Sequence, residues 1–319
     1  MKKFIVKSIK YIIVFLIMFV LFLRVVVFFP NIKSRQSHEV NVARQIERMK
    51  QIDEPKIIII GGSGCGFGLC SSMISRHFNM PVCNTGTQGG MGILLQTNLC
   101  KDYIRKGDVV VVIPEYTNYY GNRYLGGSTA LRILTSIYPD GYKCLSFRQQ
   151  LYLIRYVPET FNNTIAAWLE PKQFSEMDDP YSQGSLNEYG DVEMYDVRWV
   201  SYSSVQSPIK WNNFKLQYKT ISLLQNFCQY CKNQNAVMLL FPPAYRAKDY
   251  DVNQENIDMI WNALKEAQLP IVSSPERYKM ADTLHYDTDY HLTYEGVIIR
   301  TNKLIADMDS SLNNSIIHF

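Results

Sequence analysis

The stretch "KIIIIGGSGCGFGL" (Lys56 to Leu69) runs four isoleucines into a glycine-rich turn around one serine. A short β-branched apolar run of this kind reads as a buried strand of parallel-sheet type. The turn after it suits either a phosphate cradle or a nucleophile. A phosphate-binding loop needs Lys and Ser/Thr after its last glycine, whereas Phe67, Gly68 and Leu69 follow Gly66. A dinucleotide loop needs G-x-G-x-x-G. Counted from Gly62 the third glycine falls on Phe67, and counted from Gly64 it falls on Leu69. The next strand, in "PVCNTGTQGG", also offers no acidic residue for a ribose. A serine nucleophile on a sharp strand-to-helix turn needs small neighbours, because the backbone is tight and the substrate must come close. The following helix start points N–H groups at developing negative charge. Taken alone, the same glycines also serve a plain βα turn.

Outward from this strand, strand and helix alternate. A helix is expected over 69–79, a strand in "MPVCNTG", a helix over 91–105 and a third buried strand in "GDVVVVIPEY" (Gly107 to Tyr116). After a break the rhythm returns with a helix over 211–233, a strand in "NAVMLLFPP" stopped by two prolines, and a helix over 252–267. A last strand in "LPIVSS" and a closing helix from about Thr293 follow. Alternation of this kind predicts an α/β fold, three-layer α/β/α with a mostly parallel sheet. The stretch at about 120–205 is rich in Tyr, Asn, Gly, Ser and Pro, with helical pieces near 128–137 and 147–169. It reads as an insertion or cap on the domain, which spans 55–319, with residues 31–54 as a polar, helix-prone connector.

The chain has 319 residues, 47% hydrophobic and 19% charged, an ordinary globular composition with no internal repeat. Its net charge of +4 comes from one end: Lys2, Lys3, Lys7, Lys10 and Arg24 face no acid within residues 1–30. Without those five, 28 basic groups stand against 29 acidic ones. A nucleic-acid partner needs a clustered basic footprint, and none is visible. "YIIVFLIMFVLFLRVVVFF" (Tyr11 to Phe29) has 19 residues and one charge, Arg24, and a bilayer-spanning helix needs roughly 20 apolar residues. The lysines before it place the N-terminus in the cytoplasm and the bulk outside, in a periplasmic or other extracytoplasmic space. No A-x-A cleavage pattern follows, which favours an uncleaved single-pass anchor over a signal peptide. The seven cysteines, Cys228-x-x-Cys231 among them, imply neither a disulfide framework nor a zinc site; most read as buried free thiols.

A serine nucleophile needs a base, and the base an orienting acid. "YDTDYHLTYEG" places His291 just before the closing helix, with Asp289 two residues back and Asp287 four back. The plain reading is a turn with two aspartates. His285 precedes them and reads as a pocket or surface residue. His38, His77 and His318 lack acidic neighbours at helpful spacing. Cys65 is a rival nucleophile by position, though packing at the helix start suits it better. No metal-ligand cluster and no cofactor motif is present in the sequence.

"IIIIGGSGCGFGL", "NTGTQGG" and "YDTDYHLTYEG" together resemble the SGNH/GDSL hydrolase superfamily, closest to a bacterial membrane-anchored branch that acts on cell-envelope polymers. The resemblance covers about 55–120 and 235–308. It implies Ser63 as nucleophile, His291 as base, and an oxyanion hole from the N–H groups of Ser63 and Gly86. Three positions depart from the family. Gly62 stands where an aspartate is usual. Thr288 stands where the acid is usual, leaving Asp287 or Asp289, with the Tyr-Asp-x-x-Tyr-His pattern favouring Asp287. The family's Gly-x-Asn-Asp is replaced by "VVVVIPEYTNYYGN", in which Asn118 is the candidate oxyanion donor and Glu115 and Tyr116 are candidate pocket residues. The implied activity is a metal-free serine esterase or acyl transfer on acyl, above all acetyl, esters of envelope glycans. The implied partner is a membrane-bound O-acyltransferase. The alternatives are an accessory protein to a membrane-bound O-acyltransferase in polysaccharide acylation, or a non-catalytic glycan-binding module that keeps the fold; tyrosines such as those in "EYTNYYGNRYLGG" suit sugar stacking in either case.

Overall fold

Four isoleucines in succession are tolerated in a strand only if both of its faces are covered, and Ile57, Ile58, Ile59 and Ile60 are all fully buried. The computed structural model describes residues 2–28, 30–169, 179–193, 196 and 198–316. Strand β1 (Ile57–Gly61) lies between β2 (Val82–Asn84) and β3 (Val109–Ile113), and β4 (Val237–Leu240) pairs with β3. All three pairings are parallel, in the order β2-β1-β3-β4. The chain is thus mixed α/β with a parallel four-stranded sheet among the described residues.

The helices follow in chain order. They are α1 (Lys2–Phe28), α2 (Ile32–Gln36), α3 (Asn41–Gln51), α4 (Ser63–Gly66), α5 (Ser71–Phe78) and α6 (Ile93–Cys100). Then come α7 (Ser128–Ser136), α8 (Phe147–Leu153), α9 (Val157–Leu169), α10 (Tyr218–Asn233), α11 (Ala247–Glu266) and α12 (Tyr294–Ile316). Alternate strand residues separate two cores. Ile58, Ile60, Val110 and Val112 pack with side chains of α3, α6, α10 and α11. Ile57, Ile59, Val109 and Val111 pack with Ile74 of α5 and Leu304 and Met308 of α12. Each such isoleucine stabilises the fold by roughly 1.5–3 kcal/mol relative to exposure.

Three boundaries differ from the sequence reading. "LPIVSS" contributes one parallel bridge, Leu240 to Ile271, held by Leu240 N–H to Pro270 O (2.8 Å) and Val272 N–H to Leu240 O (3.0 Å). Pro270 has no N–H for a longer ladder. Residues 211–217 precede α10 as an irregular segment with Trp211 buried, and Gln217 caps the helix through Lys219 N–H. Residues 31–54 fold onto the domain: Val42, Ile46 and Met49 recur at helical spacing on α3 and are buried.

Helix α1 is continuous from Lys2. Its segment Lys3–Leu21, with mean hydropathy 2.4 and no burial, is long and apolar enough to cross a membrane, as an anchor or as a signal sequence. Phe29, the end of the apolar run read from sequence, lies outside the described residues, as do 170–178 of the insertion and His318.

The register of β1 against β3 is pinned at its start by a buried ion pair. Lys56 Nζ lies 2.9 Å from Asp108 Oδ2, both side chains fully buried, and Asp108 Oδ1 accepts the Lys56 N–H at 3.0 Å. Breaking a buried pair strands the remaining charge. Asp108→Ala is expected to destabilise the chain by about 3–5 kcal/mol, read as a lower denaturant midpoint. Adding Lys56→Met should recover part of that loss, because the unpaired ammonium goes with it.

Candidate active site

The sheet order reverses direction between β1 and β3, and ligand sites in open parallel sheets form at the carboxyl ends beside such a switch point. Ser63 follows β1 and Glu115 follows β3 at this edge. His291 arrives on the loop before α12. Its Nε2 lies 2.8 Å from Ser63 Oγ, and its Nδ1 lies 2.9 Å from Asp287 Oδ1. The four-residue step from Asp287 to His291 is a tight turn, closed by Thr288 Oγ1 accepting the His291 N–H at 3.0 Å. With Nδ1 donating to the carboxylate, Nε2 is the acceptor for the Ser63 hydroxyl. Ser63 is partly exposed while His291 is buried.

Two aromatic groups fix the imidazole. Phe67 stacks on it with centroids 4.1 Å apart and planes 10° from parallel. The Tyr181 hydroxyl donates to Asp287 Oδ2 at 2.5 Å and lies 3.1 Å from His291 Nδ1. Burial lowers the His291 pKa below its ordinary value, against the raising effect of Asp287, so the ring is neutral and basic at neutral pH. Burial pushes Asp287 up, but the hydrogen bond and charge of His291 and the Tyr181 hydroxyl outweigh it and hold the carboxylate below its usual range.

The remaining sequence-read candidates fall elsewhere. Asp289 does not face His291; burial first, then the Asp249 charge, raises it to about 6, and it bonds Tyr245. The Gly86 N–H is taken by Asn84 Oδ1 at 3.0 Å. Gly86 is needed for packing: a Cβ there would stand 2.3 Å from Cys65 Cβ. Asn118 is 1% exposed; its Oδ1 accepts the Ile93 N–H that opens α6, and its Nδ2 donates to Glu115 O. Tyr116 is fully buried in the core against Trp211 and Tyr245. Thus Gly86 and Asn118, expected as oxyanion donors, are engaged within the scaffold, and Tyr116, expected as a pocket residue, packs in the core. His285, read as a pocket or surface residue, is fully buried, with its pKa lowered to about 3 chiefly by burial. Cys65 is buried and its thiol is pushed up to about 12 by burial, which removes the thiolate a nucleophile needs. His77 pairs with Asp309 at 2.8 Å on the surface.

Of the four oxyanion and pocket candidates, Glu115 is the one whose side chain hydrogen-bonds the Ser63 turn. Its Oε1 accepts the Gly64 N–H at 3.4 Å. A Cβ at Gly62 would stand 2.0 Å from that oxygen, and one at Gly89 would stand 1.9 Å from Oε2. The two glycines therefore make the slot that the carboxylate fills. Burial, then the Asp289 charge, raises Glu115 to about 7.

The insertion supplies what the sequence reading missed. Arg198 is fully buried; its Nη2 donates to Phe67 O at 2.6 Å and to Leu292 O at 2.8 Å, and its Nη1 donates to Val192 O. Asp191 accepts Ser71 N–H and Ser71 Oγ–H, both at 2.6 Å, and Asn84 Nδ2–H at 2.8 Å. From α12, Arg300 donates to Gly64 O beneath the serine. His38 sets its ring edge against Phe67 at 5.5 Å, and its Nδ1 donates to Tyr181 O at 3.3 Å. Asp191 and Arg198 have no local sequence signal beyond an aspartate and an arginine within an aromatic-rich stretch, and His38 and Arg300 have none.

Compared with models of known protein families and with curated proteins, the chain matches none.

The arrangement can move the Ser63 proton to His291 and hold the resulting imidazolium against Asp287. Glu115 gives it a titration of its own. Between its ordinary 4.5 and about 7 the folded chain holds a proton that the unfolded chain has lost, so stability falls as pH rises through that window. Glu115→Gln removes this slope. The variant's melting temperature should gain on wild type between pH 5 and 7.5, by an amount equivalent to about 3 kcal/mol at most. A constant difference across that range would show that the carboxyl titrates as in water.

Proposed function

We propose that the chain is a serine-dependent esterase or acyl-transfer enzyme of the SGNH type, held at a membrane by α1 and facing the extracytoplasmic side. One observation carries the reading: the continuous chain Ser63 Oγ–His291–Asp287, with steps of 2.8 and 2.9 Å, the first between groups 228 residues apart in sequence. His291 takes the Ser63 proton as Ser63 attacks an acyl ester. The imidazolium then protonates the departing alkoxide, and water or a sugar hydroxyl takes the acyl group from Ser63. Acetyl esters of cell-envelope glycans are the proposed substrates, and a membrane-bound O-acyltransferase is the proposed partner where the acyl group is passed on. On this reading the sheet with helices over both faces is the three-layer SGNH core.

Gly86 and Asn118 are engaged with other groups, so the reading rests on the proton relay and not on an assembled oxyanion hole. That engagement is what favours the second reading, a non-catalytic glycan-binding module on the same fold. A fluorophosphonate probe separates them: it should label the wild-type chain and lose all labelling in Ser63→Ala. Labelling that persists in Ser63→Ala, or none in wild type, would sink the assignment.

Tyr181 gives a finer check. Tyr181→Phe removes a donor that shares the Asp287 carboxylate, so that carboxylate should favour the His291 imidazolium more strongly and His291 should protonate at higher pH. The acid limb of the labelling rate should move upward, with the rate on the plateau falling less than in Asp287→Asn, for which a loss on the order of 10⁴-fold is expected.

A further inference from the structure

Helix α9 is turned the wrong way round for a surface in water. Its buried residues are small, Thr160, Thr164 and Ala167. Its N-terminal half exposes the polar Glu159, Asn162 and Asn163, while its C-terminal half exposes the large apolar Ile165, Trp168 and Leu169, the last 77% exposed. These apolar residues recur at spacings of three and four, so they form one stripe. Helix α8 repeats the pattern: Gln149 and Leu153 are buried, while Phe147 (74% exposed) and Leu151 point out, followed by Ile154 one turn on. Large exposed apolar side chains gathered on successive helices mark an interaction site.

The position of the face says what covers it. Trp168 Nε1 donates to Pro30 O at 3.2 Å, and Asn31 Nδ2 donates to Asn163 O at 3.4 Å. Pro30 and Asn31 are the residues at which the chain leaves α1. The C-terminal half of α9 is thus bonded to the foot of the one described helix apolar enough to cross a bilayer. At that level a membrane presents its headgroup region, where tryptophan is favoured. Two exposed arginines, Arg148 and Arg155, share the outer surface of this segment with the apolar stripe, and arginine can bury its stem while its head meets phosphate.

We infer that the exposed face of α8 and α9 lies in the lipid interface beside α1, so that the domain rests on the bilayer and does not swing from a tether. The occupant is a phospholipid surface, entered to the depth of an interfacial amphipathic helix. The inference rests on α1 as a membrane anchor, and its test separates the two.

The full chain is reconstituted in vesicles of phosphatidylcholine and phosphatidylglycerol that include a lipid with an alkyne-tagged acyl chain. A photoreactive benzoylphenylalanine replaces one residue at a time: Phe147 and Leu169 on the face, Phe15 within α1, and exposed Lys265 of α11 as the control. Irradiation should attach tagged lipid at 147 and 169 to at least a third of the level at 15, with ten-fold less at 265. Lipid attached at 15 but not at 147 and 169 overturns the inference and leaves the anchor standing. Protein–protein adducts at 147 and 169 without lipid overturn it in favour of a second copy on this face. No lipid at 15 removes the anchor, and the inference with it.

Discussion

Everything at the candidate site depends on one buried guanidinium. Ser63 and His291 sit on loops from opposite ends of the domain, and a 2.8 Å approach between them needs those loops locked together. Arg198 does this by donating to the carbonyls of Phe67, four residues after Ser63, and Leu292, one residue after His291. The fixed fork of the guanidinium makes this a geometric constraint as well as an attraction. Because Arg198 positions Phe67, it also positions the ring stacked on His291. Burying a cation is costly unless its donors are satisfied, and here carbonyl oxygens satisfy them.

The insertion is therefore a brace. Tyr181 reaches Asp287, Asp191 ties Ser71 to Asn84, and Arg198 joins the two loops. Its want of strand–helix rhythm reflects this work, since polar side chains aimed at distant carbonyls need no periodicity of their own. The parts legible from sequence were those with local causes. Ile57 to Ile60 and Val109 to Val112 announce a buried sheet by composition, and the Asp287–His291 turn is complete within five residues. Arg198 and Tyr181 act across about 90 to 130 residues, and no local pattern records such a contact. Gly86 and Asn118 show the converse: small and amide residues after strands suit an oxyanion hole, but equally suit the stitching of a turn, and sequence does not separate the two.

The slot at Gly62 shows how a local departure can have a distant cause. The carboxylate of Glu115, which follows β3, fills the space beside Gly62, and any side chain at 62 would collide with it. The glycine and the glutamate are two halves of one feature. A carboxylate delivered by another strand makes the turn before Ser63 sensitive to the sheet register, and the register is set by the Lys56–Asp108 pair at the opposite end of the same two strands.

The same logic ties the site to α1. His38, eight residues after Pro30, donates to the Tyr181 carbonyl and packs edge-on to Phe67. Asn41 then bonds the carbonyls of Asn84 and Gly190, at 3.0 and 3.3 Å. The first residues beyond the apolar helix thus hold both the insertion and the end of β2. Little free chain remains between α1 and the domain, so a tilt of one must be shared by the other. For the proposed membrane-held esterase, such stiffness would keep the Ser63–His291 pair at one height, and a near-attack geometry is lost by about an ångström of misplacement.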